Sequence, residues 1–115
     1  MKRSDFLSTN EKNALAELVK ILKDKHQHQL CKIKLFGSKI RGNYDEASDI
    51  DVFIVFDRRV DWKFKDQIFE LIFEINLRYN VFISARIYSK SRLQEERIKT
   101  LPFIRNVLQN GVDLL

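Results

Sequence analysis

The run IDVFIVF, Ile50–Phe56, is apolar on both faces except at its head, where Asp49 and Asp51 stand. Seven residues rich in β-branched and aromatic side chains read as a strand, and one with two apolar faces requires a sheet with helices packed on it. Side chains alternate along a strand, so Asp49 and Asp51 project from one side and Ile50 and Val52 from the other. Two carboxylates about 7 Å apart along a strand can converge on one cation between them. Unpaired at the edge of an apolar sheet, each would raise the other's pKa. A divalent metal removes the conflict. Small, hard Mg²⁺ prefers carboxylates together with substrate phosphates, so the pair fits a metal delivered with a nucleotide.

The neighbouring segments supply the rest of an α/β fold. Ser8 and Glu11 form a capping-box pattern, and Leu15, Leu18, Val19 and Leu22 follow at helical spacing, which predicts a helix from residue 9 to about 27. Cys31 to Phe36 reads as a buried strand ended by Gly37-Ser38, with a short helical turn from Lys39 to Gly42. From Trp62 to Tyr79 the period is helical again. Phe64, Ile68, Leu71, Ile72, Ile75 and Tyr79 make one stripe, and Phe69, Phe73 and Leu77 make a second. The second is read first as core against the C-terminal helices and alternatively as a surface for a partner chain. Val81 to Tyr88 reads as a third strand, Ser89 or Ser91 caps a helix to about Lys99, and Pro102 opens a last helix that Gly111 ends.

Gly37-Ser38 complements the aspartates. A strand-to-helix turn without a Cβ at Gly37 lets backbone N–H groups approach phosphates, and the Ser38 hydroxyl adds a donor. Arg41, one turn later, can bring a cation to the same anion or simply lie on the surface. Taken singly these are turn and loop signals.

At 115 residues the chain is expected to form a single domain, residues 1–115, with 44% hydrophobic and 32% charged residues as in ordinary soluble proteins. No apolar run reaches the length of a spanning helix and MKRSDF lacks a signal-peptide core, so no membrane partner and a cytoplasmic location are expected. Cys31, the lone cysteine, is read as a small buried residue. The net charge of +5 invites a nucleic-acid reading, but the charges are interspersed. Only Arg86 to Arg105 is biased, and that stretch is read as a solvated helical face in preference to a nucleic-acid track. His26-x-His28 lacks further metal-ligating neighbours and is read as a solvated helix end, and Asp57 as a strand-terminating turn.

Gly37-Ser38, ten intervening residues, then Asp49-Ile50-Asp51 resembles the signature of the DNA polymerase β-type nucleotidyltransferases. Arg41-Gly42 and Ser48-Asp49-Ile50-Asp51-Val52 resemble in particular the minimal nucleotidyltransferases of prokaryotes, over nearly the whole chain. The resemblance implies the nucleotidyltransferase fold, a small mixed sheet of at least three strands with flanking helices. It also implies Mg²⁺-dependent transfer of a nucleoside monophosphate, AMP from ATP being the expected case. Gly37, Ser38 and Arg41 would then bind the nucleotide, and Asp49 and Asp51 would be the catalytic, metal-ligating pair. As partners it implies an NTP and a small helical toxin of the HEPN class, AMPylated on tyrosine and neutralised by this chain as antitoxin, or else a homodimer.

In one respect the chain departs from that pattern. The family usually carries a third carboxylate on the later strand, where Ser84 aligns, and no Asp or Glu occurs between Glu74 and Glu95. Arg86, on the same strand face, could neutralise the aspartates or extend into solvent. Two functions therefore stand at this point: an active nucleotidyltransferase, and a binding module with a vestigial site that neutralises its partner by contact.

Overall fold

A computed structural model describes residues 7–37 and 49–115. The first helix, α1, runs Thr9–His26, and both halves of its capping box form: Ser8 Oγ accepts from the Glu11 N–H at 3.1 Å and Glu11 Oε1 accepts from the Ser8 N–H at 2.8 Å. Strands β1 (Leu30–Phe36) and β2 (Ile50–Phe56) pair antiparallel, so Phe36 lies opposite Asp51. Helix α2 (Trp62–Tyr79) starts where Asp61 accepts from the Phe64 N–H and stops at Asn80, which is left-handed with φ of 54°. It is the crossover that returns the chain parallel to β2 as β3, Ile83–Ser89. After a 3₁₀ turn come α3 (Glu96–Lys99), α4 (Pro102–Asn110) and a two-residue strand β4, Val112–Asp113. The sheet order is β3-β2-β1-β4, which gives β2 a strand on each side.

The two apolar faces of β2 explain the layers. Ile50, Val52, Ile54 and Phe56 join the larger core with Leu15, Leu18 and Leu22 of α1 and Phe64, Ile68, Ile72 and Ile75 of α2. On the other face, Phe53 and Val55 pack with Ile98, Ile104 and Val107 of α3 and α4. Because α3 and α4 cover the face opposite α2, they never meet its second stripe. Phe69, Phe73 and Leu77 are 43, 63 and 70% exposed, so the reading of them as core against the C-terminal helices is corrected.

Three smaller expectations also shift. The third strand begins at Ile83, two residues later than predicted, because the Val81 N–H still donates to Asn76 O and ties the chain to the helix end. The helix expected from Ser89 or Ser91 to Lys99 is split into the 3₁₀ turn Arg92–Gln94 and the single turn of α3. Strand β4 was not expected. It pairs with β1, and Asp113 there meets the buried Lys34 at 2.9 Å. The predicted turn from Lys39 to Gly42 lies outside the described residues. Among the described residues no helix is long and apolar enough to cross a membrane.

Candidate functional site

The head of β2 is where the sheet brings polar groups together. Asp51 is half-buried, flanked by Phe36 on β1 and by Ser84 on β3. Partners in a parallel or antiparallel pair share a sheet face, so Ser84 lies on the face of Asp51, one strand over, at about the 4.8 Å spacing of neighbouring strands. A serine therefore stands opposite Asp51, on the strand where the family resemblance implies a third carboxylate. Asp49, exposed and one residue ahead of the strand, lines a shallow groove with Phe73, Phe82 and Ser84.

Gly37 closes the site from the β1 side. Its φ is +88°, a left-handed conformation that favours glycine, and a Cβ built there would overlap Asp51 Oδ2 and lie 3.2 Å from Asp51 Cγ. Chain reversal after Phe36 and access to the Asp51 carboxylate thus both depend on the missing side chain. Ser38 and Arg41, the other predicted nucleotide contacts, lie outside the described residues, as do Gly42 and Ser48.

Phe36, the strand partner of Asp51, belongs to an aromatic cluster that the sequence did not reveal. Phe103 of α4 meets Phe36 edge-on at 5.3 Å, and the Arg86 guanidinium lies over the Phe103 ring at 4.6 Å. Arg86 is exposed, in line with the reading that it extends into solvent, and its guanidinium is held over Phe103 by this stacking. No pattern in the chain links position 86 to 103; only the packing of α4 on β1 and β2 does so.

The donor set suits a metal that brings part of its own coordination. Asp49 and Asp51 supply carboxylates, and among the described residues no group of three or more His, Cys, Asp or Glu side chains could hold an ion. Mg²⁺ bound through one or two carboxylates plus phosphate oxygens and water needs no more. The two histidines contribute nothing to it. His28 is exposed, while His26 packs edge-on against Phe56 and Phe64, both at 5.3 Å, and is less solvated than its place at a helix end suggests.

Comparison with known proteins identifies the family. Residues 15–111 match the family model described as a nucleotidyltransferase domain. A Methanocaldococcus jannaschii protein named "Putative protein adenylyltransferase MJ0604" is 42% identical over 102 residues, 89% of this chain and 95% of that protein. A second from the same organism, carrying the same name with the designation MJ0141, is 40% identical over 94 residues, 82% of this chain and 84% of that one.

Proposed function

Since the chain belongs to the nucleotidyltransferase domain family and is a transferase of that family, we propose that it transfers AMP from ATP to a hydroxyl group of another protein. The observation that carries this reading is that the Asp51 carboxylate occupies the space a Cβ at position 37 would fill, at the head of β2 beside Asp49. The names of both relatives support a protein acceptor and an adenylyl group.

In the proposed reaction the acceptor oxygen forms a bond to the α-phosphorus while the α–β phosphoanhydride bond breaks. Pyrophosphate leaves, and the hydroxyl proton passes to solvent. Gly37, with Ser38 and Arg41 of the adjoining segment, holds triphosphate oxygens. Asp49 and Asp51 would hold Mg²⁺, which when bound would neutralise phosphate charge and lower the acceptor's pKa. Asp51, braced between Phe36 and Ser84, fixes the position of that charge relative to the Gly37 turn.

The acceptor we propose is a tyrosine of a HEPN-class toxin, with this chain as its antitoxin, on the strength of the sequence resemblance. The exposed stripe Phe69, Phe73 and Leu77 offers such a partner an apolar surface. A second reading, a vestigial site that neutralises by contact alone, is favoured by Ser84 standing beside Asp51 in place of a carboxylate.

Calorimetry tests the site directly. ATP and Mg²⁺ are expected to bind well together and weakly alone, with loss of joint binding in Asp49→Asn and Asp51→Asn. Equal ATP affinity with and without Mg²⁺ would contradict the assignment.

A further inference from the structure

Strand β3 ends the sheet, and among the described residues nothing pairs with its outer edge. Which backbone groups face outward follows from the ladder. Ile50 N–H donates to Phe82 O and Lys90 N–H donates to Phe56 O, so the even-numbered residues of β3 direct their N–H and C=O toward β2. The odd-numbered residues face out. At Ile83 the outward pair is already satisfied by one side chain: Ile83 N–H donates to Asn76 Oδ1 at 2.8 Å, and Asn76 Nδ2 donates to Ile83 O at 3.1 Å. Asn76 thereby imitates one residue of a neighbouring strand. The outward groups of Ala85 and Ile87 come next.

Those two residues line a groove along the edge. Val60, Lys65 and Phe69 form its wall on the α2 side, and Arg86, Tyr88 and Arg92 form the other. Among the described residues the lining contains three cations and no carboxylate. Past Ala85 and Phe69 it continues into the groove that contains Asp49 and Ser84. An unpaired edge flanked by side-chain pockets is the arrangement that accepts an added strand, with main-chain bonds giving affinity and alternate side chains giving specificity.

We propose that an extended, acidic segment of the acceptor protein docks here as an extra strand on β3. Its backbone pairs with Ala85 and Ile87, its carboxylates face Arg86 and Arg92 on one wall, and its alternate side chains lie against Val60, Phe69 and the stem of Lys65 on the other. Asn76 occupies the next pairing position and stops the added strand, which sets its register so that the following residue emerges beside Ser84 and Asp49, where the transferred group is held. A second copy of this chain fits less well, because edge-to-edge pairing would bring the same three cations together. That the docked segment is the acceptor rests on the proposed protein-adenylylating reaction; the docking itself does not.

The test uses ¹⁵N-labelled protein and a capped hexapeptide, acetyl-Glu-Val-Glu-Tyr-Glu-Val-amide. Saturable shifts at the Ala85 and Ile87 amides are expected. Two N-methylated versions, each blocking alternate amides, separate strand addition from other binding. One should bind about tenfold or more weakly, the scale of losing charge-free backbone bonds in concert, and the other should bind as the parent does. Lys65→Glu with Arg92→Glu, the first half-buried and the second exposed, should weaken the parent peptide about tenfold while preserving the spectrum of the core. Absence of binding, equal binding of both methylated versions, displacement by oligouridylate, or concentration-dependent loss of the Ala85 and Ile87 signals without peptide would each overturn the proposal. The reaction is read separately with labelled ATP. Peptide binding without any transfer leaves the groove standing and removes the proposed activity; transfer to a protein acceptor that Lys65→Glu with Arg92→Glu leaves undiminished keeps the activity and removes the groove.

Discussion

The carboxylate of Asp51 lies where a side chain at position 37 would have to go: a Cβ on Gly37 overlaps Asp51 Oδ2. One glycine thus serves two needs, the left-handed turn out of β1 and the space for the carboxylate. Gly37→Ala should cost about 1–2 kcal/mol of stability from its positive φ, and should weaken Mg²⁺-ATP binding through displacement of Asp51. In an Asp51→Ala background the overlap disappears, so the penalty of Gly37→Ala should fall toward the backbone part alone. Denaturant unfolding of the four proteins measures this coupling.

The neighbouring Ser84 gives the next outcome. Ser84→Asp puts a second carboxylate beside Asp51 on the same sheet face. Without metal the variant should melt below the wild type through like-charge repulsion, and Mg²⁺ should raise its melting temperature more than it raises the wild type's. If a competent acceptor is present, transfer should rise about tenfold or more. A variant whose stability ignores Mg²⁺ would show that position 84 does not share the metal site.

Much of this geometry could be read before any coordinates. Ser8 and Glu11 marked the start of α1, and the unbroken apolar run placed β2 with its stated bounds. The family resemblance, and not strand alternation, set Ser84 against the aspartates, since alternation gives a face and not a register between strands; the parallel pairing then places Ser84 opposite Asp51. The C-terminal end was not readable in the same way. A two-residue strand has no period, and β4 is located by the pairing of Asp113 with Lys34, residues far apart in the chain. Nor could helical spacing alone say what covers Phe69, Phe73 and Leu77, since it gives an angle around α2 and not the element opposite.

Exposure of that stripe predicts tolerance. Phe73→Asp should remain folded, with stability changed by no more than about 0.5 kcal/mol as at ordinary surface positions. Ile72→Asp, one residue away and buried in the larger core, should unfold the chain. Thermal melts of the two variants decide this, and an unfolded Phe73→Asp protein would contradict the exposure.

Lys34 is only 6% exposed, and Asp113 is its carboxylate partner. Replacing Asp113 with Asn leaves the buried ammonium without that charge and should cost about 1 kcal/mol, allowing for the exposure of Asp113. Lys34→Met, which fills similar space without charge, should cost less. The Lys34 hydrogen bond holds the Asp113 carboxyl below its ordinary 3.8, so this contribution is complete above that pH and is lost as the pH falls below it.

His26 produces a second pH effect at milder acidity. Burial first, then the charges of Arg58 and Lys25, lower its pKa below 6.5. The unfolded chain therefore takes up this proton before the folded chain does, and the folded state loses stability as the pH drops below 6.5. The melting temperature of His26→Leu should vary less over that range than the wild type's.

The most direct measurement follows the label. The protein is incubated with Mg²⁺ and a candidate acceptor, once with ATP labelled at the α-phosphate and once at the γ-phosphate. Label should appear on protein from the α position only, should require Mg²⁺, and should vanish in Asp49→Asn and Asp51→Asn. Label arriving from the γ position, or α-label transferred undiminished by both variants, would contradict adenylyl transfer at the head of β2.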